Sequence, residues 1–156
     1  MEIKGLYKII PLSLLRSTKG VVFDCLPNDL VKETSAVDRV YHKSDAISPG
    51  TIGDIKRPWY MHTHQTDNLI VLHGIRHVDL YNKEHGKIEP FVVTPEKIEL
   101  DGTVLYEGGA ILSWPEYVFH RVKSDKEGSM SINFAVHANG FDIKTNFNIY
   151  DLNITN

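Results

Sequence analysis

The sequence predicts an all-β chain, closed as a sandwich or a barrel, on three observations. Short runs rich in β-branched and aromatic residues recur at close spacing. Turn chemistry separates them, most plainly at Ser48-Pro49-Gly50, Asp101-Gly102, Gly108-Gly109 and Asn139-Gly140. No stretch keeps a helical hydrophobic period over the length of an ordinary helix.

Residues 6–16 give an extended piece broken at Pro11, with a helical turn after it. A turn at 18–20 leads into a strand over 21–26, Val-Val-Phe-Asp-Cys-Leu. The stretch 30–35 is too short and mixed to assign. Residues 36–42 alternate, with Val37, Arg39 and Tyr41 on one side and Asp38, Val40 and His42 on the other. From Trp59 the strands crowd together. Residues 68–72 form a continuous apolar run that His73-Gly74 ends, and 75–81 alternates. Short runs follow at 89–94 and 97–100, and Asp101-Gly102 is a strong two-residue hairpin signal into 103–106. Residues 110–113 form another run before Trp114-Pro115 interrupts. The segments 118–122 and 129–137 read as the last inner strands, with a closing stretch through Tyr150.

At 156 residues the chain is most simply one domain over 1–156, large enough to bury a core unaided. The formal charge of −3, with acids and bases interspersed, offers no basic stripe for nucleic acid and no polybasic membrane anchor. No apolar run is long enough to span a bilayer, and the opening residues do not read as a signal peptide. A lone Cys25, read as a small core residue, excludes an internal disulfide and suits a reducing compartment, so a cytoplasmic location is expected.

Histidine decides where to look, because four of the eight fall between positions 62 and 77. In an extended strand His62 and His64 share a face about 6.6 Å apart, at roughly 3.3 Å per residue. One ion could then be reached by both rings. His120, beyond the Gly-Gly turn and the Trp-Pro step, is the natural third ligand, and Asp67 the fourth, with Gln65 as the alternative oxygen donor. Such a set suits a divalent transition metal, namely Zn, Fe, Ni, Mn or Cu. It would load poorly below about pH 6.5, where imidazoles protonate. Without metal, His62 could serve as a general base. Tyr60, Asn133 and His137 are candidate pocket residues beside Gln65. His42, His85 and Arg39 read as surface, and His73 as part of a turn. His77 and Asp79 share a strand face, open to solvent or lining the pocket.

The pattern His62-Thr63-His64, Asp67, Gly74, followed by Gly109, Pro115, His120 and Ser124, resembles the two motifs of the cupin superfamily. In that family the first runs His-x-His, three or four residues, Glu, six residues, Gly. Asp67 replaces the Glu, one residue early. The second runs Gly, five residues, Pro-x-Gly, two residues, His, three residues, Asn, and here Tyr117 and Ser124 replace the Gly and Asn. Tyr117 would narrow the barrel mouth. The resemblance implies an antiparallel double-stranded β-helix, the jelly-roll cupin barrel. Its motif core would lie at about 56–124, with N-terminal strands over 6–50 and C-terminal strands over 129–150.

Gln65-Thr66-Asp67, Val78-Asp79-Leu80-Tyr81 and Trp114-Pro115-Glu116-Tyr117-Val118-Phe119-His120 further resemble the dTDP-4-dehydrorhamnose 3,5-epimerase branch. That branch carries Arg-Gly-x-His where this chain has Trp59-Tyr60-Met61-His62, and Gln-x-Lys where it has Gln65-Thr66-Asp67. Of its catalytic set, His62 is retained. The resemblance also implies a homodimer pairing through N-terminal or edge strands. Three functions follow as expectations. The first is a metal-binding cupin holding a small polar, carbohydrate-like molecule, with isomerase, dioxygenase or hydrolase chemistry. The second is a metal-free sugar-nucleotide epimerase or isomerase with His62 as base, and the third a non-catalytic small-molecule binding module.

Overall fold

The computed structural model describes residues 1–154. Its elements, in chain order, are β1 (Glu2–Ile3), β2 (Tyr7–Pro11), β3 (Ser13–Thr18), β4 (Val21–Cys25), α1 (Asn28–Glu33), β5 (Ala36–His42) and β6 (Ile47–Ser48). Then come β7 (Trp59–Met61), β8 (Gln65–Tyr81), β9 (Glu89–Val93), β10 (Lys97–Leu100), β11 (Thr103–Glu107) and β12 (Ala110–Trp114). The last are β13 (Phe119–His137), α2 (Ile143–Asn146) and β14 (Ile149–Tyr150). Every strand pairing is antiparallel. The all-β expectation holds, and both helices are short.

Two long strands organise the barrel. β8 has 17 residues and β13 has 19, and they pair from Phe119↔Tyr81 through to His137↔Gln65. The sequence suggested two strands in each place. The runs are continuous because a bulge, rather than a turn, sits at His73-Gly74. The register shifts between Ser124 and Ser129, and Gly74 and Gly128 both take positive φ, 73° and 71°. Gly74 has no substitute here, since a Cβ on it would lie 2.1 Å from the Gly128 carbonyl oxygen.

The bulge divides each long strand between two faces. On one face the order is β1-β2-β12, then the first part of β8, the last part of β13, and β5. On the other, β11-β10-β9 lead to the later part of β8 and the first part of β13, with β6, β7 and β14 beyond. Two sheets sharing two bent strands is the predicted jelly roll. The bulge also changes which residues point inward. Before it, Asp67, Leu69 and Val71 of β8 are buried; after it, Arg76, Val78 and Leu80 are.

The Asp101-Gly102 hairpin forms as expected, with Leu100 opposite Thr103 and both turn residues at positive φ, 48° and 76°. The apolar core joins Ile9 of β2, Val71 and Leu80 of β8, Phe91 of β9, Ile98 of β10 and Leu112 of β12. β3 and β4 form a separate two-stranded ribbon, on which Leu14, Leu15, Val21, Val22 and Phe23 are exposed. Among the described residues, no helix is long and apolar enough to cross a membrane.

Candidate metal centre and ligand cavity

A cavity of about 320 Å³ opens between the two faces, lined by side chains of β5, β7, β8, β12 and β13. Near the start of β8 it holds His62, Asp67 and His120, which are 4%, 3% and 6% exposed. Their ligand atoms lie within 4.8 Å of one another, the one such group of three found among the described residues.

The backbone sets both imidazole tautomers. His62 Nδ1 faces the Asn146 carbonyl oxygen, and His120 Nδ1 faces that of Val118 at 3.1 Å. A carbonyl oxygen only accepts, so both Nδ1 atoms carry a proton, and in the neutral rings both Nε2 atoms present lone pairs. Those lone pairs point at Asp67 Oδ2, which is 3.4 Å from His62 Nε2 and 3.9 Å from His120 Nε2. Burial pushes His120 down to about 4, so it is neutral at physiological pH; His62 pushes the same way, while Asp67 pulls upward.

Asp67 is held from behind. Its Oδ1 accepts from Gln65 Nε2 at 2.6 Å and from Asn133 Nδ2 at 2.7 Å. Asn146 Nδ2 donates to Gln65 Oε1 at 3.0 Å, and the Asn68 N–H donates to Asn133 Oδ1 at 2.8 Å. Oδ2 is left buried with no hydrogen-bond partner among the described residues. Three lone-pair atoms thus converge with no donor between them, an unfavourable arrangement unless a cation completes it. The residues fit a metal: an ion with tetrahedral bonds of about 2.1 Å spaces its ligand atoms roughly 3.4 Å apart. Two histidines and one carboxylate on one side of an ion is also a recurrent transition-metal set.

The expected ligand set needs one correction. His64 is not part of the group. β7 stops at Met61 and β8 begins at Gln65, so residues 62–64 form a bend and the strand period does not apply. The Tyr117 N–H donates to the His62 carbonyl at 2.8 Å, and the Ala138 N–H to that of His64 at 3.0 Å. The His64 ring is half-buried, bonds Thr63 Oγ1 through Nδ1 at 2.9 Å, and lies against Gly140.

Of the other candidates, Tyr60, Gln65 and Asn133 line the cavity. Gln65 supports Asp67 instead of replacing it. Tyr117 does not narrow the mouth: it takes a positive φ of 65° and is 61% exposed, among Gly5, Asn82 and Glu116 on the outside. His137, at the end of β13, stacks on Phe141 with ring centroids 3.5 Å apart and is absent from the cavity lining. His77 pairs with Asp125, and Asp79 with Arg121, so that strand face lies outside the cavity.

Several contributors were not anticipated. His42 and Arg39, read as surface, both line the cavity, and His42 is buried. Burial and the neighbouring Arg76 push His42 down to about 4. Arg76 is 2% exposed, and burial lowers its guanidinium to about 10, still cationic at neutral pH. A signal for it was present, because Arg76 is in phase with Val78 and Leu80 on an apolar strand face. Asn146 and Phe147 gave none; they reach the site through α2, from the far end of the chain.

No family model matches the sequence, and no curated protein matches it either. Solved structures do. QdtA, a sugar 3,4-ketoisomerase from Thermoanaerobacterium thermosaccharolyticum solved with TDP, aligns with a TM-score of 0.65 at 12% identity, covering 94% of this chain and 89% of that one. The WlaRB TDP-quinovose 3,4-ketoisomerase of Campylobacter jejuni aligns at 0.60 and 16% identity, with 93% of each chain covered. The RmlC epimerase of Mycobacterium tuberculosis aligns at 0.63 and 8% identity, covering 92% of this chain and 68% of that one. The chain therefore has the RmlC-like cupin jelly-roll fold.

Proposed function

We propose that this chain is a metal-binding cupin whose barrel holds a small polar molecule, with one divalent transition metal carried by His62, Asp67 and His120. The observation that supports it most is Asp67 Oδ2, buried without a donor and facing two imidazole lone pairs. When bound, such an ion would polarise a ligand oxygen or lower the pKa of a bound water. The chain's own part is to hold the tautomers through Asn146 and Val118, to aim Asp67 through Gln65 and Asn133, and to wall the site with Tyr60, Trp114 and Phe147. Calorimetric titration of chelator-treated, tag-free protein with Zn, Mn, Fe(II), Ni and Cu tests this. One site per chain is expected for at least one ion; no saturable binding of any would overturn the reading.

A second reading is favoured by two of the fold neighbours, a sugar 3,4-ketoisomerase solved with TDP and a TDP-quinovose 3,4-ketoisomerase: a sugar-nucleotide isomerase in which His62 Nε2 removes a proton beside a sugar ketone. Asp67, 3.4 Å away, would then stabilise the imidazolium that forms. Incubation with TDP-4-keto-6-deoxyglucose in deuterated water, followed by mass spectrometry, separates the two. This reading requires deuterium uptake that chelators leave intact and His62→Ala abolishes. The homodimer belongs to the proposal as well. A lone two-stranded ribbon is marginal by itself, and the apolar side chains exposed on β3 and β4 suit burial against a second copy.

A further inference from the structure

The metal trio leaves the other end of the cavity unexplained. There Arg76 of β8 is buried to 98% of its surface and lines the same cavity as His62, Asp67 and His120. One guanidinium nitrogen donates to the Val40 carbonyl at 3.0 Å. Among the described residues its Nε has no partner, and no carboxylate lies within 4.0 Å of the group. Around it, His42 Nδ1 on β5 is likewise buried and unpartnered, and so is the hydroxyl of Ser129, the strand partner of His42. Trp114 Nε1 lines the cavity in the same condition.

A buried guanidinium without a counter-charge is costly, and a guanidinium does not escape by losing its proton. The bulge at Gly74 is what turns it inward, so the position follows from the barrel's construction rather than from a loose side chain. The charge that fits here is limited. Burial keeps His42 neutral, Asp38 and Arg39 of the cavity lining are of opposite sign, and the one buried guanidinium, Arg76, balances a single negative charge. A planar carboxylate matches the guanidinium fork in both charge and shape.

We infer that the cavity takes a small monocarboxylate, its carboxyl group on Arg76 with His42 beside it and its polar end toward His62, Asp67 and His120. This rests on the metal-binding reading only for the placement of that second end. The ligand class is then a hydroxy or oxo acid, or a sugar acid, instead of a neutral sugar. The cavity volume of about 320 Å³ accommodates molecules of that size.

Thermal unfolding of the intact protein in chloride buffer tests this. Acetate, lactate, pyruvate and gluconate are added at matched ionic strength, with glucose and glycerol as neutral controls and inorganic phosphate as a more highly charged one. At least one carboxylate is expected to raise the melting temperature saturably above chloride, with the neutral controls inert. Arg76→Met should weaken that carboxylate by about tenfold or more. If the variant does not fold, Arg76→Lys, which keeps the charge and loses the fork, should weaken it several-fold. No carboxylate effect, stabilisation by phosphate alone, or equal affinity in the folded Arg76 variant would overturn the inference. Metal content measured on the same samples separates the two claims. Carboxylate stabilisation lost with Arg76 in protein that binds no metal leaves this inference standing and sinks the metal reading; metal bound with no carboxylate effect does the reverse.

Discussion

At the scale of the residue, the site is a matter of which lone pairs have partners. Asp67 has two oxygens in different situations: among the described residues, Oδ1 accepts two amide donors and Oδ2 accepts none. Removing an amide that aims the carboxylate should therefore weaken metal binding without removing a ligand. Asn133→Ala is expected to lower metal affinity about 10–100-fold, and an affinity equal to wild type in a calorimetric titration would refute the role given to Asn133. Protonation gives a second test. Burial holds His120 and His42 near 4, whereas an unfolded imidazole titrates near 6.5. Between those values the unfolded chain binds protons that the folded chain does not. Their contribution is thus complete above about pH 6.5 and lost as pH falls toward 4. The melting temperature of chelator-treated protein should drop across that window, and His42→Asn should flatten the drop. Identical profiles for the variant and the wild type would count against a buried neutral His42. Residue chemistry in the sequence singles out His62, Asp67 and His120, which the fold brings together. It paired His62 with His64 because an ideal strand was assumed through a segment whose backbone bends.

At the scale of the element, one glycine does the most. Gly74 lets β8 bulge against Gly128, keeps the strand continuous over 17 residues, and turns Arg76 rather than His77 inward. Gly74→Ala is expected to destabilise the protein by about 2 kcal/mol or more, from positive-φ strain and the backbone contact together. A urea midpoint within error of wild type would show that the bulge can relax. Hairpins marked by local chemistry, such as Asp101-Gly102, were legible because two residues determine them. The bulge was not, since its register depends on pairing with residues about fifty positions away in the chain. That is also why 68–72 and 75–81 looked like two strands.

At the scale of the whole molecule, strand spacing and turn chemistry sufficed for the all-β class, and the motif spacings for the cupin barrel. What closes the site from the C-terminal side, Asn146 and Phe147, carries no pattern a sequence alone exposes. The exposed ribbon of β3 and β4 leads to a prediction for the assembly. Phe23→Asp with Leu14→Asp should convert a dimer to a monomer in light scattering coupled to gel filtration, and a wild type that is monomeric at micromolar concentration would contradict it. The central claim is that the metal belongs to His62, Asp67 and His120, and not to the neighbouring His-x-His pair as such. The most direct measurement is elemental analysis of tag-free His64→Ala and Asp67→Ala beside wild type. About one ion per chain is expected in wild type and in His64→Ala, with metal lost from Asp67→Ala. Metal lost from His64→Ala and kept in Asp67→Ala would contradict it.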